Sequence, residues 1–162
     1  MINPSDIVNQ LVAALQAIPQ LVAQLGGSAS NIYPYKDSPP QESSLSRAIY
    51  EMTSPSVMVA WMGSNPSGQE GLGLFSHAVS LYVRADDATT APGTPTFANV
   101  ITAIVNGTPT GWTDRLLMSS WFGNRLEPME VPTIRRIHDE EGTIDLFELA
   151  TQFTETFDDV DN

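Results

Sequence analysis

The chain of 162 residues contains no cysteine, which removes disulfide frameworks, thiolate metal sites and cysteine nucleophiles together. Its stability must come from packing or from association. Basic residues are scarce: 7 Lys and Arg stand against 19 Asp and Glu, a formal charge of -12. The field around such a chain repels phosphate, which disfavours tight groove-reading of nucleic acid. Long apolar runs are missing as well. No window of about 18 uninterrupted apolar residues occurs, and the chain opens on Asn3-Pro4-Ser5-Asp6 where a secretion signal would place a basic stretch and an apolar run. Neither a membrane span nor an export signal is expected, and the expected folding compartment is a cytoplasm.

What is present suffices for one core. The sequence is 41% hydrophobic and 16% charged, above the disordered class and close to the usual size of one domain. A single domain over residues 1–157 is expected, followed by an acidic tail, 158–162, that carries Asp158, Asp159 and Asp161. Asn3 to Asp6 form a good helix start. Ile7, Leu11, Ala14, Leu15 and Ile18 then recur at helical spacing until Pro19, with a second short turn before Gly26-Gly27. Residues 28–44 hold Pro34, Pro39 and Pro40 and read as a surface connection with room for a short strand at 31–35. A helix is expected over 44–52, a doubly covered strand at 57–62, a loop over 63–73, a strand over 76–84, a second loop over 86–95 and a helix over 97–105. The stretch from Trp112 to Phe122 has no clean period. A strand from Pro132, a polar turn at 139–142 and a returning strand over 143–157 make a C-terminal β-hairpin. The order helix, helix, strand, strand, helix, hairpin belongs to the α+β class.

Candidate chemistry is thin. His77 and His138 are the two histidines, and His138 precedes Asp139, Glu140 and Glu141. A small metal-dependent hydrolase using His77, His138 and Glu140 is the sharpest enzymatic reading these residues permit. Acids after a strand are more often a solvated turn, the two histidines lack metal-binding spacing, and His77 at a strand start reads as an edge or satisfied core residue. No Gly-x-Ser-x-Gly turn occurs. Gly68, Gly71 and Gly73 have the wrong spacing for a phosphate loop and lead into a strand. Arg135 and Arg136 beside an acidic turn suit surface ion pairs. No catalytic residue, metal or cofactor is expected. Candidate interface residues are Gly63, Gly68, Gly71 and Gly73 in the first loop and Asp86 and Asp87 in the second. Trp112, Trp121 and Phe122 join them as aromatics that either close the core or anchor a partner. Trp61, ending a core strand, is expected to be interior.

Residues 55–61 (Pro-Ser-Val-Met-Val-Ala-Trp) with their glycine-rich loop, residues 77–84 (His-Ala-Val-Ser-Leu-Tyr-Val-Arg) and the hairpin over 132–157 form a familiar layout. With the opening helix and the helix at 97–105, the chain resembles the tail-terminator, or tail-completion, proteins of long-tailed bacteriophages. The likeness is one of layout over most of the length, since that family has no short diagnostic motif. It implies a small, mainly antiparallel sheet packed by two to three helices and a hexameric ring on the head-proximal end of the tail tube. Such a ring halts tube growth and offers a surface to the head's connector. The implied partners are further copies of the chain, the tail tube protein and a head-completion or connector protein, with DNA passing through the channel unbound and no membrane. The implied location is the virion tail, after assembly in the host cytoplasm. The connection before Leu45 and the 112–129 insert depart from the family's pattern, and a head-completion or neck adaptor is the alternative within the same assembly.

Overall fold

A computed structural model describes residues 2–37, 41–67, 74–85, 97–106, 126–128, 133–137 and 146–156. The first helix, α1 (Pro4–Gln16), starts where its caps dictate: the Asn3 side chain accepts from the Ser5 amide, Pro4 sits in the first turn and Asp6 faces the positive end of the dipole. Ile7, Leu11 and Leu15 share its buried face, each contributing about 1.5–3 kcal/mol relative to exposure. Pro19 forces Ile18 into extended backbone and opens α2 (Pro19–Gln24). Gly26 and Gly27, both at φ 79°, then turn the chain, and the Asn31 side chain donates to the Leu25 carbonyl at 2.6 Å to hold the turn.

The sheet is built from β1 (Ile32–Pro34), β2 (Ser56–Ser67), β3 (Leu74–Arg84), β4 (Leu126–Pro128), β5 (Thr133–Ile137) and β6 (Leu146–Thr156). Its order is β1-β2-β3-β6, and the outer lane of β6 is shared between β5, opposite residues 146–150, and β4, opposite residues 153–155. Only β1 runs parallel to its neighbour; the other ladders are antiparallel. Strand alternation then sorts the side chains. Val57, Val59, Trp61, Val79, Leu81, Val83, Leu149 and Phe153 share the main core with α1, α2 and α4 (Phe97–Asn106). Met58, Ala60, Tyr82 and Leu146 face the other way and are covered by α3 (Glu42–Tyr50) through Leu45 and Ile49. Because both faces of this end are covered, residues 57–60 are apolar without alternation, as the sequence suggests.

The α+β class, the mainly antiparallel sheet and the C-terminal hairpin are therefore present. Three expectations need correction. Gly63 to Ser67, expected in a loop, continue β2, because a bulge between Trp61 and Gly63 lets the strand resume pairing with Ser76 to Ala78 and beyond. The helix expected over 44–52 runs two residues earlier, over Glu42–Tyr50. Residues 126–128, inside the expected insert, form a strand on β6. The loop at 86–95 and the turn at 139–142 lie outside the described residues.

Candidate functional site

The register of the sheet brings a chain of polar groups together inside the core. His77 stands opposite Ser64 on β2 and Phe153 on β6, and Glu155 stands opposite Phe75, so all share the face covered by the main helices. His77 and Glu155 are each 0% exposed. The Trp61 indole Nε1 donates to His77 Nδ1 at 3.1 Å, His77 Nε2 lies 2.7 Å from Glu155 Oε2, and the Ile2 amide donates to Glu155 Oε1 at 2.8 Å. An indole N–H can only donate, so Nδ1 must accept; the ring is the neutral tautomer with its proton on Nε2. That proton is given to Glu155, whose oxygens thus both accept, which makes it a carboxylate. The charge is buried, and two N–H donors take the place of water.

This arrangement has the imidazole–carboxylate pair of a hydrolytic triad without its nucleophile. The position a hydroxyl would take is filled by an indole, and both ring nitrogens are engaged within the core. While these bonds stand, His77 has no lone pair to offer a substrate or a metal. Its service is mechanical: it joins β2, β3 and β6, while its partner Glu155 ties Ile2, two residues before α1, to the far end of β6. Sequence reasoning placed Trp61 inside, as it is, and read His77 as an edge or satisfied core residue, of which the core alternative is the one found. It missed Glu155, although the signal is there: on β6, positions 147, 149, 151, 153 and 155 alternate onto one face as Phe, Leu, Thr, Phe and Glu, a lone acid on an apolar side.

The opposite face carries a second polar network. Arg135 Nε donates to Glu148 Oε1 at 2.7 Å, and Tyr82 shares a hydrogen bond with the same carboxylate. Burial, and then the charge of Glu148, push the Tyr82 hydroxyl far above the ordinary phenol range. Beyond the reach of α3 this face opens into a groove of about 500 Å³ lined by Met62, Ala78, Ser80, Thr133, Ala150 and Gln152. Among the described residues, the β1 ladder covers only Val57 to Val59 of β2, and β5 pairs only with β6. On β5, Ile134 is 44% exposed.

Of the candidate interface residues, Gly63 sits at the β2 bulge with φ 142°, and the space its missing Cβ would enter is open to 4 Å. Gly68, Gly71, Gly73, Asp86, Asp87, Trp112, Trp121 and Phe122 lie outside the described residues, as do His138 and Glu140. Among the described residues no group of three or more His, Cys, Asp or Glu side chains is placed to hold a metal ion, and no helix is long and apolar enough to cross a membrane. No protein-family model matches the chain, and no curated protein matches it in sequence.

Proposed function

We propose that the chain is a structural subunit of a phage virion: a tail-terminator protein whose copies form a ring on the tail tube, stop its growth and meet the head's connector. The observation that carries this reading is the shape of the sheet's two sides among the described residues: the β1 ladder covers only Val57 to Val59 of the long β2, and β5, with exposed Ile134, pairs only with β6. Two opposite sides on which no further strand ladder lies among the described residues suit addition of a neighbouring copy on each side, the head-to-tail geometry that closes a ring. The core polar groups are consumed by their own contacts, which fits a scaffold whose working parts are surfaces. A charge of -12 per copy also suits a channel through which DNA slides without adhering.

The test is electron microscopy and sedimentation of the purified protein, alone and with tail tubes. Rings, free or capping the tubes, are expected. A chain that stays monomeric under both conditions refutes the reading. Ile134→Lys places a charge on the β5 rim; it is expected to weaken association while changing folding stability by less than about 0.5 kcal/mol, as exposed sites usually do.

A further inference from the structure

The cations of the described residues divide into two sets. Arg84 donates to the carbonyls of Tyr50 and Met52, Arg135 is bonded to Glu148, and Arg136 lies over the Phe147 ring. Lys36 and Arg47 have no side-chain partner among the described residues, and both line one cleft of about 370 Å³ between the end of β1 and α3. Ser43, in the first turn of α3, adds a hydroxyl group, the Ser44 hydroxyl bonds to Tyr35, and the buried Tyr35 closes the floor. Two acids stand with them: Asp37 accepts from the Tyr35 hydroxyl, while Glu51, just past the end of the helix that carries Arg47, also lines the cleft and makes no ion pair with Arg47. In a chain of net charge -12, a cleft lined by two unpaired cations against one acid, Glu51, is the exception. It suits a short acidic peptide.

The chain carries such a peptide, Asp158-Asp159-Val160-Asp161. It cannot reach its own cleft. β6 ends at Thr156, level with Leu74 and hence with Ser67 of β2, whereas the cleft meets the sheet at Tyr35, whose amide donates to Val59. Val59 to Ser67 is eight residues along β2, about 26 Å, and β6 to β1 is three strand spacings, about 14 Å, which makes about 30 Å in all. Asp161, five residues beyond Thr156, extends at most about 18 Å. We propose that the Lys36/Arg47 cleft receives the acidic 158–161 segment of a second copy, a head-to-tail latch between neighbours. This rests on the self-associating reading above and adds a named contact to it.

The test uses the full-length chain. A fluorescent peptide of residues 156–162 is titrated into wild type and into Lys36→Glu/Arg47→Glu, and the assembly state of both is followed by sedimentation. Peptide binding is expected to weaken about tenfold in the double variant and to fall with salt, since two exposed charge pairs are removed. Assembly should fall with it and return when the charge-reversed cleft is combined with Asp158→Lys/Asp159→Lys. Equal peptide binding by wild type and double variant overturns the proposal, and if wild type still forms rings, the ring reading survives. If the peptide binds the cleft but wild type never associates, the latch is refuted together with the ring. Preferential loss of duplex-DNA binding in the double variant identifies the cleft as a nucleic-acid contact and also overturns the proposal. So does tighter peptide binding after truncation at Phe157 with assembly unchanged, because the tail would then occupy its own cleft.

Discussion

Replacing Glu155 with Gln sets a problem that the core has no way to solve. In the native chain three donors, the Trp61 indole, the His77 Nε2–H and the Ile2 amide, meet three acceptors: His77 Nδ1 and the two carboxylate oxygens. A glutamine offers one oxygen and an NH₂. If the oxygen faces His77, the NH₂ points at the Ile2 amide. If the oxygen faces Ile2, the NH₂ must donate to His77 Nε2, the ring proton moves to Nδ1, and it then points at the Trp61 N–H. One donor-against-donor contact remains in either case. A buried donor without an acceptor costs about 1–3 kcal/mol. Removing the charge relieves desolvation, which should keep the cost below the roughly 3–5 kcal/mol of stripping one partner from a buried ion pair. For a chain of this size about 2–4 °C of melting temperature goes with each kcal/mol, so Glu155→Gln should melt about 2–12 °C lower. Urea unfolding followed by far-UV circular dichroism measures the free-energy loss, and a thermal scan the shift. Trp61→Phe frees the His77 tautomer, so Trp61→Phe/Glu155→Gln should lose about 1 kcal/mol less than the two single changes together. Additive losses, or a Glu155→Gln protein as stable as wild type, would refute the tautomer assignment.

Arg84 links the end of β3 to the last carbonyl of α3, at Tyr50, and to the Met52 carbonyl two residues beyond it, and Arg84→Ala is expected to cost about 1–2 kcal/mol, read as a lower urea midpoint. Gly63→Ala meets open space but a φ of 142° that an L side chain rarely adopts, so a loss of about 1–2 kcal/mol is expected from backbone strain alone; an unchanged midpoint would show that the bulge relaxes. The Tyr82 hydroxyl is held protonated in the fold by burial and Glu148, while an unfolded tyrosine ionises near pH ~10. The folded state therefore keeps a proton that the unfolded chain gives up, and this contribution is complete below that pH and lost as pH rises above it. Urea midpoints at neutral and strongly alkaline pH should show a smaller alkaline fall in Tyr82→Phe than in wild type.

Much of the fold was legible along the chain because it rests on local rules. The Asn3 cap, the Ile7 to Leu15 stripe, the stop at Gly26-Gly27, the alternation from Val79 to Val83 and the returning hairpin strand each report the backbone that their own neighbours prefer. Glycine density misled at residues 63–67, since Gly63 provides the bulge by which β2 continues and does not end it. The stretch from Leu126 to Pro128 carries no strand signal, because three residues are too few for a period and the β6 ladder alone makes them a strand.

The candidate sites divide along the same line. Composition by itself determined the large negative charge, the absence of thiol chemistry and the scarcity of cations. Only the tertiary structure decided that Trp61, His77, Glu155 and Ile2 form one relay, across separations of 16, 78 and 153 residues. The same holds for the convergence of Lys36 and Arg47 on one cleft and for the short reach of the β1 ladder along β2. The physical reason is strand register: a short-range pattern says that a residue lies on a strand face, but which residue of a distant strand lies opposite is settled by the packing of the whole sheet.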